Sequence, residues 1–106
     1  MQPSWPFVSI IMPVRNESAF IERCLSAILQ QDYPADRMEI LIADGESDDD
    51  TVAKIQAYHD PRIRIFPNPD RLQAHGLNGL IDHAGGDYIV RVDGHTLLAP
   101  DYVSTC

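Results

Sequence analysis

The sequence predicts an α/β domain built on a parallel sheet. Three observations predict it. Runs of strand length alternate with segments of helical periodicity, strand first, along the chain. Two runs, Val8-Ser9-Ile10-Ile11-Met12 and Ile40-Leu41-Ile42-Ala43, are nearly continuous in apolar and β-branched residues, as strands covered on both faces are. Polar, ligand-capable residues follow the strands, and carboxylates follow two of them immediately.

Residues 8–12 form the first strand, which Pro13 stops. Asn16-Glu17-Ser18 offers an N-cap and an acid for a first helical turn. Ile21, Leu25, Ile28 and Leu29 then recur at helical spacing, so a helix runs to about Gln31 and ends at Asp32-Tyr33-Pro34. Residues 40–43 form the second strand, and Asp44-Gly45-Glu46 a turn. Ser47-Asp48-Asp49-Asp50 has the Ser-x-x-acid pattern of a capping box. It opens a helix over roughly 49–58 with Val52 and Ile55 inward, broken by Asp60-Pro61. Ile63 and Ile65 alternate with Arg62 and Arg64, which suits a half-exposed strand, and Pro67-Asn68-Pro69-Asp70 is a loop. Leu77, Leu80, Ile81 and Ala84 mark a third helix, weakened by Gly76 and Gly79 and ended by Gly85-Gly86. Residues 88–92 form a fourth, buried strand that runs directly into Asp93-Gly94-His95. Pro100-Asp101-Tyr102-Val103 opens another helix with Pro in its first turn. The sequence stops inside that element, so residues 1–106 are read as the N-terminal part of a longer domain.

Composition narrows the function. Of the 106 residues, 44% are apolar and 23% charged, as in ordinary globular domains. The net charge of -8 argues against a nucleic-acid partner, which needs a basic face toward phosphate. It also means that a diphosphate ligand would call for a divalent cation between it and the carboxylates. No apolar run approaches the ~20 residues of a membrane span. Residues 1–7 lack a basic n-region and a long h-region, so no signal peptide is expected. Cys24 on an apolar helix face and Cys106 at the end make no disulfide framework, and a reducing cytoplasm fits.

In an open parallel sheet, ligands bind outside the carboxyl ends of the strands. The residues placed there are Pro13-Val14-Arg15-Asn16-Glu17, Asp44-Gly45-Glu46-Ser47 and Asp93-Gly94-His95. The first turn has no glycine, which excludes the Gly-x-Gly-x-x-Gly dinucleotide motif, and no phosphate-binding Gly-Lys loop occurs. What is left is a diphosphate held through an ion. Asp93 and His95 supply oxygen and imidazole donors, able to converge if Gly94 lets the backbone turn. That donor set suits Mn2+ better than Mg2+. Asp44 has a second reading, as the closing residue of an Asp-Gly turn. The acidic cluster Glu46, Asp48, Asp49 and Asp50 reads as a helix cap and is left outside the site. His59, His75, His83 and Arg71 read as surface residues, and Asn78 is open between the pocket and a kink at Gly79.

Three stretches together resemble family 2 glycosyltransferases. The first is Val8-Ser9-Ile10-Ile11-Met12-Pro13-Val14-Arg15-Asn16-Glu17 with the later Cys24-Leu25-Ser26-Ala27-Ile28-Leu29-Gln30-Gln31-Asp32-Tyr33-Pro34. The second is Glu39-Ile40-Leu41-Ile42-Ala43-Asp44-Gly45-Glu46-Ser47-Asp48-Asp49. The third is Gly86-Asp87-Tyr88-Ile89-Val90-Arg91-Val92-Asp93-Gly94-His95 with Pro100 beyond it. The last version is most similar to enzymes of succinoglycan-type exopolysaccharide synthesis. The resemblance implies the nucleotide-binding half of a GT-A fold: three layers, four mainly parallel strands in the order 3-2-1-4, and helices on both faces. It implies a nucleoside-diphosphate-sugar donor, usually a UDP-sugar, a glycan or lipid-linked acceptor, and a divalent metal, Mn2+ or Mg2+. Carried over by position, Pro13, Val14, Arg15 and Glu17 line the nucleotide pocket, Asp44 meets the base, and Asp93 and His95 face ribose, metal and diphosphate. Arg15 stands where the family often has an aromatic, and His95 where it usually has Asp. The family's catalytic base follows this segment, so none is expected within 1–106. Attachment to the cytoplasmic face of the inner membrane would come only through other segments. Two further readings are a noncatalytic nucleotide-sugar-binding module and a sugar nucleotidyltransferase. The second usually has a glycine-rich, Arg-containing loop after its first strand, which Pro-Val-Arg-Asn-Glu is not.

Overall fold

The computed structural model describes residues 5–69, 73–94 and 97–105. Arg71, His95 and Cys106, each singled out above, lie outside the described residues.

The strands are β1 (Val8–Val14), β2 (Met38–Asp44), β3 (Ile63–Pro67) and β4 (Tyr88–Arg91). They form one sheet in the order β3-β2-β1-β4, and all three pairings are parallel. Helices α1 (Ile21–Leu29), α2 (Thr51–Gln56) and α3 (Gln73–His83) connect them, and α4 (Tyr102–Thr105) follows. A 3-10 turn, Ala35–Arg37, leads into β2. The strand order and the α/β architecture are those expected.

Side-chain alternation on the central strands splits the core in two. On one face Val8, Ile10, Met12 and Val14 of β1 join Met38, Ile40 and Ile42 of β2 beneath Ile21, Cys24, Leu25 and Ile28 of α1 and Ile55 of α2. On the other, Ile11, Leu41 and Ala43 meet Leu80 and Leu77 of α3 and Ala84 just beyond it. Each fully buried Ile or Leu contributes about 1.5–3 kcal/mol. All seven residues of β1 are buried, which is why it reads as a nearly continuous apolar run interrupted by Ser9. It extends through Pro13 to Val14, and β2 starts at Met38, so both strands are longer than the apolar runs alone suggest.

Four local expectations are corrected. β4 is an edge strand rather than a buried one: Tyr88, Ile89 and Arg91 are exposed and only Val90 is partly covered. The Ser47–Asp50 capping box does not form. α2 starts at Thr51, its N-cap Asp50 makes no side-chain cap bond, and the Ser47 hydroxyl turns back to Asp44. Inside α2, Thr51 and Ile55 are the buried positions, whereas Val52 is half-buried. α1 likewise starts later than its Asn16-Glu17-Ser18 signal, at Ile21, without a side-chain cap.

The C-terminal elements are held by one buried amide. Gln31 accepts from the Val103 amide at 2.9 Å and donates to the carbonyls of Ala99 (2.7 Å) and Ala27 (3.1 Å). Asp32 N adds a bond to Pro100 O at 2.6 Å. No helix among the described residues is long and apolar enough to cross a membrane.

Candidate functional site

Parallel pairing puts the carboxyl ends of all four strands on one edge. Val14 is level with Asp44, and Ile11 with Arg91, so continuing that register brings Asp93 beside Pro13. The bond from Val92 N to Ile11 O (2.9 Å) keeps the alignment to the end of β4. Asp44 and Asp93 therefore flank β1 on the same edge, two strand spacings or about 10 Å apart. Both are half-buried.

The loops after β1 and β2 are joined by a ladder of short bonds. Gly45 N donates to Val14 O (2.8 Å), and Arg15 Nε to Gly45 O (2.9 Å). Asn16 N donates to Ser47 Oγ (3.0 Å), while Asn16 Oδ1 accepts from Asp48 N (2.7 Å). Asn16 needs a left-handed backbone for this, φ 53°, which asparagine tolerates better than most residues. Further along, Glu17 N donates to Thr51 Oγ1 (3.0 Å), Ser18 N to Asp49 Oδ2 (3.3 Å), and Lys54 Nζ to Ser18 O (2.9 Å). The Ser18 hydroxyl bonds Asp50.

This ladder explains the acidic cluster. Asp49 and Asp50 satisfy donors of the Ser18 turn in a neighbouring loop, and Asp49 Oδ1 also accepts the Thr51 amide (3.0 Å) at the start of its own helix, as a cap does. Donation from the Thr51 hydroxyl, the largest influence, holds the Asp49 carboxyl below its ordinary value. Asp48 takes the Arg15 guanidinium at 3.8 Å, an exposed pair. Arg15 thus runs along the β2 loop and ties it to β1.

Asp44 closes its own turn. Its Oδ1 accepts the Ser47 hydroxyl at 2.6 Å and the Ser47 amide at 3.3 Å, and Oδ2 lies 3.4 Å from the same amide. Its carbonyl receives Asn68 N from the end of β3 (2.9 Å). Asn68 is buried, and a Cβ on Gly76 of α3 would stand 2.8 Å from its Nδ2, so Gly76 makes room for it. Ser47 was placed at this edge from sequence but given a part only in the helix cap, and Asn68 was not marked as belonging to it. The only signal was the Asp-x-x-Ser spacing of an Asx-type turn, which the capping-box pattern masked.

On the other flank, Cys24 Sγ lies 3.4 Å from the Asp93 carbonyl, and Asp93 Oδ1 lies 3.4 Å from Arg91 Nη2. Gly94 has no left-handed φ, so its role is not the sharp turn expected of it. A Cβ there would stand 3.1 Å from both Val14 Cγ1 and Glu17 Cγ. Gly94 is small so that the segment after β4 can press against the loop after β1. The described structure thus brings Pro13, Val14, Arg15, Glu17, Asp44 and Asp93 onto one edge, while His95 lies outside the described residues.

Asp93 offers carboxylate oxygen at the sheet edge, where among the described residues it pairs with the exposed Arg91. Among the described residues no group of three or more His, Cys, Asp or Glu is able to hold a metal ion by itself. That donor chemistry fits a cation such as Mg2+ or Mn2+ that takes one or two protein ligands and completes its shell from phosphate oxygens.

Comparison with known proteins gives a consistent picture. The family model described as Glycosyl transferase family 2 matches residues 9–106. A Methanococcus voltae dolichyl N-acetyl-alpha-D-glucosaminyl phosphate 3-beta-D-2,3-diacetamido-2,3-dideoxy-beta-D-glucuronosyltransferase is 37% identical over 92% of the chain and 32% of that protein. The succinoglycan biosynthesis protein ExoA of Rhizobium meliloti is 34% identical over 88% of the chain and 29% of its own length. Among solved structures, the mannosyltransferase PcManGT from Pyrobaculum calidifontis, in complex with GDP-Man and Mn2+, superposes with a TM-score of 0.86 at 33% identity. It is matched over 93% of this chain and 30% of that one. The S. aureus TarS structure in complex with UDP shares the fold at a TM-score of 0.85 and 19% identity, over 93% of this chain and 30% of its own. The chain spans about a third of the length of these curated relatives.

Proposed function

The chain belongs to glycosyl transferase family 2, and on that premise we propose that it forms the donor-binding part of an enzyme that transfers a sugar from a nucleoside-diphosphate-sugar to a glycan or lipid-linked acceptor. The observation that carries this reading is the placement of Asp44 and Asp93 on one sheet edge, on either side of the β1 loop. In the proposed complex the nucleotide lies across that edge. Asp44 accepts an N–H of the base, most simply the uracil N3–H of a UDP-sugar. Pro13, Val14, Arg15 and Glu17 line the pocket between the flanks, and Asp93 turns toward ribose and diphosphate.

Asp93 and His95 are the residues proposed to hold a divalent cation. When bound, the cation would offset the charge that develops on the departing diphosphate. The chain's own contribution is positional. The Gly45–Val14, Arg15–Gly45 and Asn16–Ser47 bonds fix the two loops against each other, so the base contact and the phosphate contact keep their spacing before the donor arrives. Fixed carboxylates at the edge also require a cation if an anionic donor is to stay, which fits a chain of net charge -8. The general base that takes the acceptor proton is proposed to lie outside residues 1–106, so these residues bind donor without transferring sugar. The relatives' names support a glycan or lipid-linked acceptor, and polysaccharide synthesis is the proposed setting.

Calorimetric titration of UDP into the chain tests the reading. Binding is expected with Mn2+ present, and a loss of at least about tenfold with chelator or in His95→Ala. Equal UDP affinity with and without metal would remove the cation from the account. Sugar transfer by these residues alone would remove the external base.

A further inference from the structure

We propose that Ser47 sets the base preference of the donor site, by occupying one oxygen of Asp44 and leaving the other for a single N–H. The inference rests on the reading that Asp44 meets the nucleobase.

An ionised carboxylate has two oxygens and about four acceptor positions. In Asp44 they are used unequally. Oδ1 accepts both the Ser47 hydroxyl (2.6 Å) and the Ser47 amide (3.3 Å), which fills it. Among the described residues Oδ2 is touched only by the same amide at 3.4 Å, at the edge of hydrogen-bonding distance. The Ser47 hydroxyl is itself fixed, because its oxygen accepts Asn16 N at 3.0 Å from the loop after β1. It cannot rotate away from Asp44 without giving up a bond that joins the two loops. The asymmetry is therefore built into the edge of the sheet.

The two common donor bases ask different things of a carboxylate. Guanine presents two parallel donors, N1–H and the 2-amino group, and pairs best with both oxygens at once, as a guanidinium does. Uracil presents a single donor, N3–H, between two carbonyl oxygens. A carboxylate with both oxygens free would set one of them against a uracil carbonyl. With Oδ1 already surrounded by donors, its negative charge is partly neutralised and that repulsion is reduced. Ser47 thus favours uracil twice, by denying guanine its second acceptor and by easing the approach of the uracil carbonyl. A site that leaves a partner's donor unmatched discriminates strongly.

The test compares UDP with GDP, both with saturating Mn2+, so that the shared diphosphate and metal contributions cancel in the ratio. The wild-type chain is expected to prefer UDP by about tenfold or more, the worth of one well-placed hydrogen bond. Ser47→Ala, shown to be folded by its thermal melt, is expected to lower that preference by about tenfold, and Ser47→Thr, which keeps the hydroxyl, to retain it. A purely structural role for Ser47 would weaken both nucleotides equally and leave the ratio unchanged, which would overturn the proposal. Equal affinity of the wild type for UDP and GDP would overturn it as well, without any variant having to fold. Asp44→Asn separates this idea from the reading beneath it. If Asp44→Asn weakens both nucleotides while the Ser47 variants leave the ratio alone, only the Ser47 inference fails. If Asp44→Asn changes neither affinity, the base contact itself is wrong.

Discussion

Two glycines that look alike in the sequence play opposite parts. A Cβ on Gly86 would stand 2.6 Å from Ser9 Oγ, 2.7 Å from Ser9 N and 2.9 Å from Phe7 O, and two of those atoms are backbone that cannot swing aside. Around Gly79 nothing lies within 4 Å. Gly86→Ala is expected to destabilise by about 2–3 kcal/mol through overpacking. Gly79→Ala is expected to stabilise by about 0.5–1 kcal/mol through helix propensity. Urea titrations should show the two midpoints moving in opposite directions at unchanged slope. Sequence could not separate the two, because the neighbour that decides the sign, Ser9, is 77 positions from Gly86. The same holds for Asp44, where both the turn-closing and the ligand-facing readings were open; the Ser47 bonds establish the first and leave one oxygen for the second. Acid stability is also decided residue by residue. Donation from the Arg62 side chain lowers the Asp60 carboxyl below its usual value, as the Thr51 hydroxyl does for Asp49. A carboxyl depressed in the folded state contributes stability that is fully present above its unfolded pKa, about 3.9, and is lost as pH falls through the lower folded value. Denaturation midpoints should therefore hold from pH 7 to about pH 5 as far as these groups are concerned and fall below pH 4. Asp60→Asn should flatten part of that fall, and an unchanged acid limb would show that the Arg62 contact is not maintained in solution.

Elements were legible in proportion to how local their causes are. β1 and β2 were plain because strands covered on both faces leave continuous apolar runs, and α1 because its apolar stripe repeats at 3.6 residues. The start of α2 was misread because Ser47 had two possible partners, its own helix and Asp44, and the bond to Asp44 won. β4 was misread as buried because Tyr88, Ile89 and Val90 are apolar whether or not anything covers them, and among the described residues nothing pairs with the outer side of the strand. The docking of α4 was invisible in sequence, since a glutamine at the end of a helix carries no signature. Gln31 nevertheless holds the region through two bonds, to Val103 and Ala99, while a third to Ala27 ties its side chain to α1. Gln31→Leu keeps a similar volume and removes those partners, leaving buried backbone groups unsatisfied at about 1–3 kcal/mol. Hydrogen exchange of the Val103 amide is expected to accelerate by one to two powers of ten, on the order of that penalty, while the β1 and β2 amides slow or speed only with global stability. Equal acceleration in β1 would show that α4 unfolds only with the whole domain.

For the molecule as a whole, the alternation of strand and helix predicts a parallel sheet, but the order of its strands followed only from the family resemblance, because periodicity says nothing about which strands are neighbours. Charge acts on the same scale. Sixteen acidic residues face eight basic ones, and the excess is carried on a body with a Cα radius of gyration of 13.3 Å. Salt has two opposing effects here. It weakens the ion pairs Arg15–Asp48, Lys54–Glu22, Arg62–Asp60 and Arg91–Asp93, three of which are substantially exposed. Exposed pairs contribute about 0–1 kcal/mol each. It also screens the repulsion among eight uncompensated negative charges, on the order of several kcal/mol at low ionic strength, and that repulsion is relieved when the chain expands on unfolding. At 20 mM salt the Debye length, roughly 20 Å, exceeds the molecule's radius, and at 500 mM it drops to about 4 Å, so most of the repulsion disappears between the two. The repulsion is the larger quantity, and the folded state gains by its removal. Thermal melts at pH 7 should rise by about 5 °C between 20 mM and 500 mM NaCl, equivalent to roughly 1 kcal/mol for a domain of this size. Chloride rather than sulfate keeps surface-exclusion effects out of the comparison. A fall in melting temperature would mean that the ion pairs, with the Arg15–Asp48 link between the site loops among them, outweigh the net charge. The loops at the sheet edge would then owe their positions to electrostatics rather than to the hydrogen-bond ladder.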